Sequence, residues 1–212
     1  VSAGIAVYGR NTWAAMRGRD ALVVEWDESG AETRSSTEME TAWAEAAAKP
    51  ARVAESSGDV EVALASAATT HEANFTFPFL AHAPLEPLDA LIETRDGEAD
   101  LWMGSQLQTV DHQTASQILR LPLDRIRLNT VLAGGSFGRR AQPDAHVVRE
   151  IAEVAKAAGN GAYKLLHTRE DDIRGGYYRP LTVHRLRGGL DEAGSIVAWD
   201  DTIANQSIVA GT

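Results

Sequence analysis

Residues 133–140 read Ala-Gly-Gly-Ser-Phe-Gly-Arg-Arg. Glycines 134, 135 and 138 bracket one serine and one aromatic, and two guanidiniums follow at once. Such a run lets the backbone pass close to a ligand, presents consecutive N–H groups to an anion and sets fixed cations beside it. A helical pattern begins a few residues later, which would put the loop near a positive helix end. A plain turn uses the same residue types, so the loop alone leaves turn formation and anion binding both open. Its spacing matches neither Gly-x-Gly-x-x-Gly nor a phosphate loop ending in Lys-Ser/Thr.

Other segments carry polar groups suited to chemistry. In His82-Ala-Pro-Leu-Glu86-Pro87 the prolines forbid a regular helix, so the segment reads as an irregular crossing whose polar groups tie down backbone. Gly104-Ser105-Gln106 falls between a strand and a helix, where an amide side chain caps or points at a ligand. Arg169-Glu170-Asp171-Asp172 reads as a capped, solvated turn rather than a cation site, because consecutive carboxylates do not converge on one ion. The six histidines show no metal-ligand spacing, and no protein metal ligand is assigned. No nucleophile elbow supports Ser/His/Asp catalysis.

The elements that must position these groups follow from periodicity. Strands are expected at Ile5–Tyr8, Leu22–Trp26, His71–Phe79, Ala90–Thr94, Ala99–Gly104, Ile126–Leu132, Tyr163–His167, Thr182–Gly189 and Ser195–Ile203. Helices are expected at Trp13–Arg17 behind a Thr12 cap, at 38–48, Asp59–Ala68, Gln108–Leu119 and Asp144–Ala158. Mixed order with hairpins predicts an α+β fold: a layered mixed sheet with helices packed on one side, preceded by a short β/α piece of a neighbouring domain. The expected divisions are 1–30, a connector at 31–57, and 58–212. The net charge of −10 argues against nucleic acid as a partner. The absence of cysteine removes disulfides, thiolate zinc and protein-ligated iron–sulfur clusters from this segment.

As an ordered set, these pieces resemble the molybdopterin-binding large subunit of the xanthine oxidase family. The set is Gly58-Asp59-Val60, Phe79 to Pro87, Gly104-Ser105-Gln106, Gly134 to Arg140, Thr168 to Asp172 and Tyr178-Arg179-Pro180. The branch it resembles most is the isoquinoline 1-oxidoreductase beta subunit with the membrane-associated aldehyde dehydrogenases. Asn11 to Ala15 and Gly18 to Leu22 resemble the end of that subunit's preceding hammerhead domain.

The resemblance implies a molybdenum–pterin cytosine dinucleotide cofactor, held by its dithiolene and not by protein thiolates. Gly134, Gly135, Phe137 and Gly138 match the loop that offers backbone N–H groups to it. Arg139 and Arg140 suit its phosphates. Gln106 matches the catalytic glutamine that donates to the apical oxygen of the metal. The implied reaction is oxidation of an aldehyde or an N-heterocycle with water as the oxygen source. Its base is a glutamate that has no match in this sequence, and Glu86 is not assigned to that role. Ser136 replaces the middle glycine of the usual three. Ala141 stands where purine-oxidising relatives carry a glutamate, which favours an apolar heterocycle or aldehyde. The implied partners are an iron–sulfur small subunit and a cytochrome c acceptor, and the branch suggests a periplasmic or membrane-associated setting. On this view the chain is a fragment, inactive alone. The alternatives are an isolated, non-catalytic anion- or cofactor-binding module and a nucleotide-dependent enzyme.

Overall fold

The computed structural model describes residues 1–2 and 4–208. In chain order the elements are α1 (Thr12–Asp20), α2 (Ser36–Ala47), α3 (Val60–Ser66), β1 (Thr69–Phe77), β2 (Leu80–Ala81), β3 (Asp89–Arg95), β4 (Glu98–Met103), α4 (Gln108–Leu119), β5 (Ile126–Thr130), α5 (His146–Ala158), β6 (Gly161–Leu166), α6 (Arg169–Arg174), β7 (Tyr178–Arg179), β8 (Thr182–Leu190) and β9 (Ile196–Asn205). They form two compact units. One draws on Val1–Glu28 and Ala81–Tyr177, the other on Ser29–Leu80 and the described chain from Tyr178 onward. The end of the expected third division, 209–212, lies outside the described residues.

The first unit is built on a four-stranded sheet in the order β5-β4-β3-β6. The β3–β4 hairpin turns at Asp96-Gly97, where Gly97 takes φ +78. β6 joins antiparallel to β3, and β5 joins parallel to β4. Alternation along β3 and β4 sends Ala90, Ile92, Ala99, Leu101 and Met103 to one face, where they pack with Val147, Val148, Ile151 and Ala155 of α5 and Ala115 of α4. Ile92, Leu101, Val148 and Ile151 are fully enclosed, each contributing about 1.5–3 kcal/mol of transfer free energy. The layered arrangement with helices on one side of a mixed sheet is as predicted.

The N-terminal piece departs from expectation. Ile5–Tyr8 and Leu22–Trp26 form no strands. The α1 cap is Asn11, whose carboxamide accepts from the Ala14 N–H, and the helix continues past Gly18 to Asp20. This piece is tied to α5 by the Tyr8 hydroxyl, which donates to the Val154 carbonyl at 2.8 Å. Arg169–Asp172, expected as a solvated turn, is the first turn of helix α6. A Thr168/Asp171 capping box starts that helix, and Asp172 is buried.

In the second unit β1, β8 and β9 form an antiparallel sheet in the order β1-β8-β9. α2 starts at a Ser35/Glu38 capping box, and α3 at Asp59, which accepts from the Val62 N–H. Gly189 lets α3 approach the sheet, since a Cβ there would overlap that of Ala67. Arg187 of β8 pairs with both Asp200 of β9 and Glu61 of α3. No helix among the described residues is long and apolar enough to cross a membrane.

Candidate functional site

β4 and β5 are parallel neighbours, so the segments that leave their C-terminal ends emerge side by side. In open sheets this is where ligand crevices form. The first segment is Gly104-Ser105-Gln106 and the second is the glycine loop. The Val131 N–H donates to the Met103 carbonyl at 3.0 Å and prolongs the pairing beyond the strands. Gly104 has no room for a side chain, because a Cβ would overlap that of Ala133.

Gln106 and the loop then clasp each other. The Arg140 N–H donates to Gln106 Oε1 at 3.2 Å, and the Gln106 N–H donates to the Arg140 carbonyl at 3.3 Å. Fixing Oε1 fixes the amide plane and turns the two Nε2 hydrogens away from Arg140. Gln106 is exposed, and its Nε2 has no protein partner among the described residues. Gln106 is thereby tied to the C-terminal end of the loop that carries Gly134, Gly135, Phe137 and Gly138.

The loop contains a tight turn. The Arg139 N–H donates to the Ser136 carbonyl at 2.9 Å, with Phe137 at φ +55 and Gly138 at φ +99 between them. Two successive positive φ values are the pattern of a type I′ turn, which favours Gly, Asn or Asp. Phe137 is none of these, and its ring is 75% exposed. Two further turns, 138–141 and 142–145, separate the loop from the first residue of α5, so it does not run directly into that helix.

Arg139 and Arg140, which the resemblance matches to the cofactor's phosphates, both turn inward. Both are buried, at 2% and 4% exposure, because each finds acceptors inside the unit. Arg140 Nη2 donates to Glu86 Oε1 at 2.7 Å. Glu86 also accepts the Gly134 N–H on Oε2 at 3.0 Å and donates its own N–H to the Gly134 carbonyl. Glu86 thus staples the start of the loop to its end, the backbone-tying role read for that segment. Arg140 Nε and Nη1 are buried without partners among the described residues, so donor capacity remains beside Gly104.

Arg139 points instead toward α5. Its Nη1 and Nη2 each lie 3.2 Å from His146 Nδ1, and the Tyr177 ring is 6.0 Å from its guanidinium carbon. Burial pushes the Arg139 guanidinium down from its usual value, against the raising influence of Asp172, Glu150, Tyr177 and Asp144. A cavity of about 10 Å³ lies among Met103, Asp111, Arg139, Arg140 and His146, close to the size of one water. Burial pushes the Asp111 carboxyl up, opposed by its hydrogen bond from the Ser105 hydroxyl.

Sequence reasoning placed Arg169 in a solvated turn and missed its role: Nη2 donates to the carbonyls of Pro84 and Leu85 at 2.8 Å and so fixes the crossing that carries Glu86. It also missed His146, Glu150 and His167. The only signal for His146 and Glu150 was polar residues near the start of an amphipathic helix, and His167, just past β6, carried none. Among the described residues no group of three His, Asp or Glu is arranged to hold a metal. The site offers hydrogen-bond donors: main-chain N–H groups of a glycine loop, one carboxamide and the remaining N–H groups of a guanidinium. Such a set suits an oxygen-rich anionic ligand.

A family model described as the molybdopterin cofactor-binding domain matches residues 44–208. The "Membrane-bound aldehyde dehydrogenase [pyrroloquinoline-quinone]" of Gluconacetobacter polyoxogenes is 31% identical over 202 residues, covering 94% of this chain and 26% of that protein. "Isoquinoline 1-oxidoreductase subunit beta" of Brevundimonas diminuta is 35% identical over 130 residues, covering 60% of this chain and 16% of that protein. Among solved structures, quinoline 2-oxidoreductase from Pseudomonas putida 86 superposes with a TM-score of 0.57 at 16% identity, over 68% of this chain and 18% of that one. CO dehydrogenase from Oligotropha carboxidovorans gives 0.54 at 21%, over 67% and 18%. The chain spans about a quarter or less of the length of these relatives.

Proposed function

The chain belongs to the molybdopterin cofactor-binding domain family, and from that premise we propose that its glycine loop and Gln106 line one side of the cofactor pocket of a molybdenum hydroxylase subunit. The observation that carries the reading is the clasp between Gln106 and Arg140, which sets a free carboxamide donor beside the Ser136–Arg139 turn. The partnerless donors of Arg140 fit a group rich in acceptor oxygens. So does a loop whose φ values and missing side chains leave main-chain atoms accessible.

Gly135, Phe137 and Gly138 would meet the cofactor with their backbone, while Gly134, whose N–H and carbonyl are both bonded to Glu86, would set the start of the loop beside it. Arg139 and Arg140 act from beneath the loop, supplying positive charge and holding its shape. The cofactor is read as the molybdenum–pterin cytosine dinucleotide. When bound it supplies two-electron oxidation chemistry with oxygen drawn from water. Gln106 orients and stabilises charge through its Nε2 hydrogens, a dipole fixed in advance by its bond to Arg140.

The substrate class is an aldehyde or an N-heterocycle, as the names of the two similar curated proteins suggest. Ala141 brings no carboxylate to orient a purine. An iron–sulfur subunit would take the electrons, with a cytochrome c as a further acceptor, because this segment has no cysteine to ligate a cluster. Residues 1–30 are read as the end of a preceding hammerhead-type domain.

The test is metal and pterin analysis of the full-length subunit from a host that makes the cofactor, together with Gln106→Ala. Stoichiometric molybdenum is expected. The variant should keep it while turnover falls by on the order of 100-fold, as when one preorganised donor is removed elsewhere. Unchanged turnover would take Gln106 out of the site, and absence of molybdenum would sink the reading.

A further inference from the structure

We propose that His146 is a positioning residue for the cofactor loop: acting through Arg139, it holds the Ser136–Arg139 turn in the conformation that displays Phe137. The proposal rests on the reading that this loop faces the cofactor.

The turn needs an external hold. Phe137 sits at positive φ without the licence of glycine, and an exposed ring contributes little packing of its own. Such a conformation persists only where the surroundings over-determine it. Of the turn residues, Arg139 is the one that is fully enclosed, and its N–H closes the turn. Gln142 Nε2 holds the Gly138 carbonyl at 3.3 Å from one side, and whatever fixes the Arg139 side chain holds the turn from beneath.

Among the described residues, His146 is the side chain within hydrogen-bond reach of that guanidinium. A guanidinium has donors only, so His146 Nδ1 must carry the lone pair and the proton must sit on Nε2. Nε2 faces Glu150 Oε1 at 3.0 Å, one turn along α5. The other carboxylate oxygen takes Nε2 of His167, just past β6, at 2.7 Å. Glu150 thus selects the one neutral tautomer of His146 that can accept from Arg139, and it is itself held from a second element.

The remaining neighbours agree with this assignment. Tyr177 packs edge-on against His146 and donates its hydroxyl to Asp144 Oδ2 at 2.7 Å. The His167 ring lies edge-on at 6.0 Å. Asp172 faces Arg139 as a charge without bonding it. Gly176 makes room for the guanidinium, since a Cβ there would overlap it. With Nε already unpartnered, loss of the imidazole acceptor would leave the whole buried head group unbonded, and leaving its slot would release the turn.

The experiment compares wild type, His146→Leu and His146→Asn in the full-length subunit within its assembly. It follows hydrogen–deuterium exchange at 134–141 and molybdenum per subunit. Leu removes the acceptor, while Asn returns a carbonyl oxygen near the Nδ1 position. His146→Leu should exchange about tenfold faster at 134–141 with peptides of β3 and β4 unchanged, the effect of one lost internal bond, and should hold less molybdenum. His146→Asn should recover toward wild type on both readouts. Wild-type exchange in the Leu variant overturns the proposal. Equal impairment of the two variants also overturns it, by reducing His146 to a packing residue. Should His146→Leu fail to accumulate, Arg139→Lys carries the test, because it keeps the charge and loses the fork. Faster exchange at 134–141 is then expected, and wild-type exchange overturns the proposal. A wild-type assembly without molybdenum defeats the reading of the loop as a cofactor site, and the exchange comparison still decides the role of His146.

Discussion

Arg139 and Arg140 are consecutive, yet one reaches a carboxylate on the Pro84–Pro87 crossing and the other an imidazole on α5. Each uses an acceptor that is distant in space from the other, which is how two like charges come to be buried side by side. The slot for Arg139 exists because Gly176, at φ +78, has no side chain to fill it. Gly176→Ala should therefore lower stability by about 1–3 kcal/mol, through positive-φ strain and the displaced guanidinium. Thermal or denaturant unfolding of the full-length subunit measures this, and a variant as stable as wild type would show that Arg139 is not confined there. The inward orientation of these arginines was not legible in the sequence. A run of two guanidiniums beside glycines does not say where they point until the acceptors, 54 and 7 residues away, are brought in by the fold.

At the scale of elements, α5 does two jobs. Its apolar stripe packs on the sheet, and its first two turns carry His146 and, one turn on, Glu150. Burial alone would push the Glu150 carboxyl up, but hydrogen bonds from His146 and His167 outweigh it and hold it at about 2, against a usual 4.5. A depressed folded-state value adds stability that is fully present above the unfolded value and lost as pH falls through the folded one. Acid unfolding of the wild type should accordingly include a component between pH 4.5 and about 2. Glu150→Gln should start from lower stability at neutral pH and show a flatter acid limb. Parallel acid limbs for the two proteins would remove Glu150 from that linkage. The stripe on α5, the α4 span and the β3–β4 hairpin were legible because each has a local cause: a 3.6-residue period or an Asp-Gly turn. Leu22–Trp26 misled for the complementary reason. Its apolar residues stay exposed, Val23 and Trp26 among them, because a strand needs a partner strand and local composition cannot supply one. α6 was hidden by its charges, which serve as a capping box and a favourable first turn rather than as solvated decoration.

For the molecule as a whole, the chain threads its two compact units discontinuously, so neither is a contiguous stretch that periodicity could delimit. Gln106 and the glycine loop belong to the first unit, and they leave the ends of one parallel strand pair. They supply donors and shape. They supply no thiolate to carry electrons onward. The base that the family resemblance implies has no counterpart among them. Binding surface from one side orients a group without completing the chemistry, since a general base must itself lie within hydrogen-bond reach of the proton it takes. The 212 residues expressed alone should therefore show no aldehyde-dependent reduction of an artificial acceptor. The full-length subunit in its assembly should reduce the same acceptor at a rate that Gln106→Ala lowers. Comparing the two preparations at equal concentration checks this, and turnover by the isolated chain would mean that the donor set and its neighbours form a complete active site on their own.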